Sequence, residues 1–378
     1  MKKKILSLTL AAAMLTGCGG AEQNNDNKVT TFDYGHGGTY EDGLIYNFGI
    51  DQPTSFLDYA TMEKTPLCAM PNCTHLTSGC LAQQIGMNPV FYGDYIYYFT
   101  TGYGFEDVPE GHQFFMSSKL YKAKLDTSEV EKVVEFTDCI PDDWNCAFVL
   151  IGSKLWFMGN DKNDEPTEES LSYHYIPSSD TPGAHFMCSI DLDTGEYVNY
   201  GQVCEEFRDS EYWGQSNNAV LKGIYNGKLQ IGLEYTINDH AGFDYMTVDP
   251  DDIWVEANYE FDPETGECTR TDRLYPAAVT EDTYVGIDLN AGGHHDLYFY
   301  HGGEEHVIKD SNMNVFVFDD KAFIIDGKWL DMSDWSEHEL PEEVNDFIRC
   351  GRYGDSYIFM NSRTEAFKYT IDELLALE

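Results

Sequence analysis

One short pattern recurs along this chain and limits what it can become. An apolar run meets a tight turn of Gly, Asp or Asn and returns as an alternating run. It reads VFYGDYIYYF at residues 90–99, VLIGSKLWFM at 149–158 and LKGIYNGKLQIGL at 221–233. It reads VFDDKAFII at 317–325 and IRCGRYGDSYIFM at 348–360. Fainter copies, TYEDGLIYNF at 39–48 and VTEDTYVGIDL at 279–289, bring the number to seven. Period-two alternation around turn formers describes β-hairpins and not helices.

A second hairpin follows each first one. Clear copies are LYKAKLDTSEVEKVVEF at 120–136, FMCSIDLDTGEYVNY at 186–200 and YEFDPETGECTRTDRL at 259–274. Shorter counterparts lie at 55–61, 296–308, 327–335 and 365–370. Two hairpins per unit make a four-stranded meander, and several such units of about 35–75 residues each, by the spacing of the tight turns, read as propeller blades. The fold expected is all-β. It is a single β-propeller of four-stranded antiparallel blades, seven by this count, with six or eight left open. Residues 29–378 form that domain. Stacked blades also explain how one domain exceeds the usual size of a single core.

Composition agrees. Tyr (26) and Phe (22) are plentiful, and aromatics reach 14%, which favours strands. The formal charge of −43 repels phosphate backbones, so no nucleic-acid partner is expected. A monomer is expected. Calcium on the acidic loop with Asp239, Asp244, Asp249, Asp251 and Asp252 is a further expectation, although the fixed spacing of an EF-hand is missing.

The first residues read MKKKILSLTLAAAMLTGCGG. Three Lys precede an apolar stretch too short to span a bilayer. Leu15-Thr16-Gly17-Cys18 resembles the bacterial lipobox. That resemblance implies a signal peptide over residues 1–17, cleavage before Cys18, and lipid on Cys18. Residues 18–28 then form a flexible tether, polar and Asn-rich. The expected place is the cell membrane, facing outward, held to the lipid bilayer by the N-terminal lipid alone. The body, residues 30–372, resembles TolB-type and quinoprotein-type propeller repeats. The seventh unit lacks a fourth strand, because 371–375 reads as helix. Val29–Phe32 is a leftover strand, so it is expected to pair into the last blade and close the ring.

With strands A to D running up and down, A–B and C–D turns share one face, and B–C and D–A connections share the other. The long insertions at 102–117, 160–184 and 236–252 are all of the B–C kind. They carry Tyr103, Phe105, His112, Tyr173, His174, Tyr175, His185, His240, Phe243 and Tyr245. Long loops with rigid aromatics suit ligand recognition. The reading is a binding or interaction module for an unidentified small molecule, glycan or protein.

The same face receives Cys68-Ala-Met-Pro-Asn-Cys73-Thr-His75-Leu-Thr-Ser-Gly-Cys80. In an extended segment Cys73 and His75 point the same way, and Pro71 and Gly79 let the chain fold back. Three thiolates and an imidazole make a closed zinc site. A disulfide or three thiols are the other states this cluster allows. The segment resembles one near the start of propeller-like lipoproteins of gut Firmicutes, a resemblance that implies no particular activity. For Cys139 and Cys146 a small disulfide is expected.

No GxSxG, HExxH, phosphate-binding loop or GxGxxG occurs. No catalytic residue is assigned. The alternative is a metal-dependent, glycan-active enzyme on the same face. Some seven-bladed polysaccharide lyases carry a His-rich metal site, and His294 and His295 would serve by that resemblance.

Overall fold

The computed structural model describes residues 29–32, 39–40, 42–46, 53–70, 72–75, 80–85, 89–104, 115–124, 128–136, 138–141, 147–161, 185–203, 217–236, 254–289, 295–312, 314–325, 327–361 and 363–377. Seven antiparallel sheets form a ring of blades. Strand β1 (Val29–Phe32) stands apart and is taken up below. Blade I is β2 (Thr39–Tyr40), β3 (Gly43–Tyr46), β4 (Ser55–Asp58) and β5 (Lys64–Pro66). Blade II is β6 (Val90–Tyr92), β7 (Tyr95–Gly104), β8 (Phe115–Ala123) and β9 (Val130–Phe136). Blade III holds β10 (Cys139–Pro141), β11 (Phe148–Ile151), β12 (Lys154–Asp161), β13 (His185–Asp191) and β14 (Tyr197–Val203). Blade IV is β15 (Asn217–Tyr225), β16 (Lys228–Thr236), β17 (Trp254–Phe261) and β18 (Cys268–Thr271). Blade V is β19 (Tyr275–Val279), β20 (Thr283–Leu289), β21 (His295–His301) and β22 (Glu304–Ser311). Blade VI is β23 (Val315–Phe318), β24 (Lys321–Ile324), β25 (Lys328–Asp331) and β26 (Ser336–Glu339). Blade VII is β27 (Phe347–Tyr353), β28 (Ser356–Asn361) and β29 (Ala366–Thr370). Two short helices, α1 (Leu81–Gln84) and α2 (Ile371–Leu377), complete the described elements. Neither is long enough to cross a membrane.

The core is divided among the seams between blades. Ile45 and Leu67 of blade I meet Ile96 and Tyr98 of blade II. Phe99 and Phe136 of blade II pack tilted or edge-on against Phe148 and Phe157 of blade III. Trp156 and Met158 pack on Ile231 and Phe261 of blade IV. Blades V, VI and VII join likewise. Because both faces of a middle strand are covered, Leu155, Trp156, Phe157, Met158 and Gly159 of β12 are buried in succession. Outer strands such as β9, VEKVVEF, alternate charge and hydrocarbon and lie mostly in solvent.

One device repeats on the turn face. Asp58, Asp191 and Asp331 end the third strand of a blade, Asp262 directly follows one, and each accepts backbone N–H groups from the turn that follows. After Asp58, Asp191 and Asp331 the next residue then reaches back to the first turn of its own blade, whereas Pro263 after Asp262 has no N–H to give. Tyr59 N–H donates to the Asp42 carbonyl at 2.9 Å, Leu192 to Ser153 at 2.9 Å and Met332 to Asp320 at 2.7 Å. The two turns of a blade are thereby tied together.

The ring closes differently from the sequence expectation. Strand β1 does not enter the seventh blade. It pairs antiparallel with β11, Val29 opposite Ile151 and Phe32 opposite Phe148, as a sixth strand on the inner edge of blade III. Val29 packs with the core shared by blades III and IV. Blade VII keeps three strands. Its seam with blade I is made by side chains: Leu44, Leu57 and Tyr59 against Ile358 and Met360. The Lys368 ammonium also bonds the Tyr59 carbonyl at 3.0 Å. Gly351 makes this approach workable, since a methyl group there would overlap the Tyr59 ring.

The thiol at Cys139 also has a neighbour other than the one expected. Cys139 is not in a disulfide. Its sulfur lies 3.8 Å from Cys188 Sγ and 3.1 Å from the Tyr197 hydroxyl. Gly159 between the strands supplies the room, because a Cβ there would stand 2.8 Å from Cys139 Sγ. Cys146 lies outside the described residues.

Candidate metal centre and the loop-bearing face

Strand order fixes which connections share a face. Residues 105–114 join the second and third strands of blade II, 162–184 those of blade III, and 237–253 those of blade IV. All three are B–C connections and leave from one side. The segment with Cys68, Cys73, His75 and Cys80 joins β5 to β6, a D–A connection on the same side. The loop aromatics and histidines lie outside the described residues: Phe105, His112, Tyr173, His174, Tyr175, His240, Phe243, Tyr245 and His294. So do the calcium candidates Asp239, Asp244, Asp249, Asp251 and Asp252, and Cys18. Tyr103 is in β7, opposite Met116 of β8. His185 opens β13, buried, with Nδ1 2.9 Å from the Asn160 side-chain oxygen. His295 opens β21 and is also buried.

The Cys/His segment is bolted to the blade seam. Its last cysteine, Cys80, precedes α1, whose Leu81 and Ala82 are buried between blades I and II. Thr54, just before β4, holds this turn from the other side. Its N–H donates to the Ala82 carbonyl at 2.8 Å and its hydroxyl to the Ile85 carbonyl at 3.1 Å. A single helical turn carries no periodicity, so α1 was not legible in the sequence.

Four donor atoms converge here. One from each of Cys68, Cys73, His75 and Cys80 all lie within 4.8 Å of one another. Cys73 and His75 are not on an extended strand, as the sequence suggested. Left-handed backbone at Asn72 (φ 62°) and His75 (φ 59°) turns the chain instead. The His75 N–H then donates to Cys73 Sγ at 3.4 Å, and Gln83 Nε2 donates to the His75 carbonyl at 2.7 Å. That N–H holds the Cys73 thiol below its ordinary range. Burial pushes Cys80 up to about 12, with the Cys68 and Cys73 sulfurs adding to it. A dication among these sulfurs reverses that cost, since a coordinating thiol is deprotonated outright.

The dimensions suit a tetrahedral ion. Bonds of about 2.3 Å to sulfur and about 2.0 Å to nitrogen place those atoms about 3.6 Å apart. His75 Nδ1 and Cys80 Sγ are 3.6 Å apart. None of the four cysteine and histidine donors is tied up in a disulfide. Among the described residues this is the one group of three or more such ligands that come together. The cluster can therefore hold a metal.

No protein-family model matches the chain, and no curated protein sequence matches it. Solved structures that are similar include the oligogalacturonate lyase of Vibrio parahaemolyticus, 10% identical with a TM-score of 0.46. That match covers 94% of this chain and 93% of the lyase. An oligogalacturonate lyase in complex with manganese is 11% identical, TM-score 0.44, over 90% of this chain and 89% of that one. TolB from Acinetobacter baumannii is 11% identical, TM-score 0.29, over 88% and 79%.

Proposed function

We propose that this chain is a lipid-anchored, outward-facing binding module that works through the loop-bearing face of its propeller. One observation carries the reading. Strand order sends three long connections and the Cys/His cluster to the same side of the ring, while short turns make up the other. Loops on a rigid scaffold are where recognition residues concentrate.

In this reading the cluster binds one zinc ion through Cys68, Cys73, His75 Nδ1 and Cys80. Four protein ligands close the coordination shell, so the ion is structural and leaves no position for a substrate. It pins the entry to blade II at the seam where α1 is buried, and with it the root of the 105–114 connection. Cys18 carries the lipid.

The test is a binding screen of the mature protein against glycans, peptides and small molecules, run beside variants with 105–114, 162–184 or 237–253 shortened. Binding without turnover, lost on shortening, supports the module. Binding that survives all three deletions contradicts it. A uronate polymer converted to a product absorbing in the ultraviolet would favour the glycan-lyase alternative.

A further inference from the structure

The direction of β1 fixes the side from which the N-terminal segment leaves the propeller. Inner strands enter from the loop-bearing face and run to the A–B turns. Strand β11 follows this rule, Phe148 near the loop side and Ile151 beside the Gly152-Ser153 turn. Because β1 is antiparallel to it, Val29 sits opposite Ile151 at the turn face and Phe32 opposite Phe148 at the loop side. Thr39, the first residue of β2 and so of the inner strand of blade I, also lies at the loop side.

Strand β1 is also central. First strands touch first strands around the ring, β11 with β15, β15 with β19 and β19 with β23. Strand β1 lies inside β11, toward the axis of the propeller. Val29, the first described residue, therefore stands at the middle of the turn face.

Resting on the lipid-anchor reading above, we infer that the turn face of the propeller faces the bilayer and the loop-bearing face points away from it. Eleven steps of chain separate Cys18 from Val29, a reach of about 40 Å at full extension. The turn face is strongly acidic. Asp42, Asp94, Glu281, Asp282, Asp319 and Asp355 are exposed on its A–B turns. A bilayer with anionic headgroups repels such a surface over about a Debye length. The orientation comes from the position of Val29, and the acidic charge keeps the turn face off the lipid at tether distance. The loop-bearing face is then left open to the medium.

Strand β27 offers a matched pair of probe positions. Asp346 precedes it on the loop side and Asp355 follows it on the turn side, and both are exposed. Seven residues of strand separate the two ends by about 23 Å. The experiment uses the lipidated full-length protein on vesicles containing phosphatidylglycerol. A fluorophore is attached through an azide-bearing amino acid substituted at Asp346 or at Asp355, and acceptor dye is placed in the lipid. Energy transfer should be several-fold stronger from position 355 than from 346. Stronger transfer from 346, or equal transfer from both, overturns the orientation. The Cys18→Ser protein is the control for the anchor itself: if it stays on the vesicles, the lipid reading has failed, whatever the dyes report.

Discussion

Asp191 accepts the N–H groups of Asp193 and Thr194 on one oxygen and the Ser153 hydroxyl on the other. Burial opposes its charge, but these donors win and hold its carboxyl below the usual range. At Asp262 the N–H groups of Glu264 and Thr265 lower it directly. Asp331 sits low too, burial being outweighed by Ser333 and Lys321. A carboxyl whose folded pKa lies below its unfolded value near 3.9 stabilises fully above that value. The contribution is lost as pH falls through the folded pKa. Stability should therefore decline on acidification below about pH 4. Asp191→Ala should cost about 1–2 kcal/mol at neutral pH, as lost caps do, and clearly less near pH 2.5. Urea melts at both pH values check this, and an equal loss at each would show that the charge is irrelevant. At the closing seam, the Tyr59 hydroxyl is buried without a hydrogen-bond partner among the described residues. Tyr59→Phe should be neutral or stabilise by up to about 1 kcal/mol, while Gly351→Ala should cost about 1–3 kcal/mol by overpacking. Denaturation midpoints decide both; a large loss on removing the hydroxyl would mean that it is satisfied in solution.

Among the elements, β1 makes the sharpest prediction. Removing residues 19–28 should leave the melting temperature nearly unchanged. Extending the deletion through Phe32 strips the inner edge of blade III and should cost on the order of 2–4 kcal/mol. Hydrogen exchange should then quicken in β11, at residues 148–151, and not in blade VII. Faster exchange in β27 to β29 instead would revive pairing with the last blade. The strand itself was legible in VTTF, and so was the short seventh blade. The partner was not. Tight turns such as Gly93-Asp94 and Gly354-Asp355 announce hairpins because both strands lie beside the turn. Nothing local in four residues says which of seven inner edges they join. The α1 turn and the Cys139 to Cys188 approach were hidden for the same reason. Each is decided by neighbours distant in sequence: Thr54 for α1, and Gly159 with Tyr197 for the thiols.

At the scale of the molecule, the seven repeats predicted the ring because each unit needs its neighbours to cover both faces of its sheet. The candidate site was legible in part. Cys68, Cys73, His75 and Cys80 stood out by type and spacing, and the sidedness of the long connections followed from counting strands. What the sequence could not supply was the left-handed backbone at Asn72 and His75 that brings the donors together. We propose that a metal at this cluster holds the loop-bearing face in shape while the blades stand on their own packing. The most direct measurement is metal content and X-ray absorption of protein purified without oxygen, combined with hydrogen exchange before and after chelation. The account predicts one zinc per chain with three sulfur ligands and one nitrogen. Chelation should quicken exchange in residues 65–85 and 102–117, leave the strands of blades III to VII protected, and do nothing further in a Cys73→Ser protein. A metal-free protein with a Cys68–Cys80 disulfide, or chelation that leaves exchange in those two segments unaltered, would contradict it.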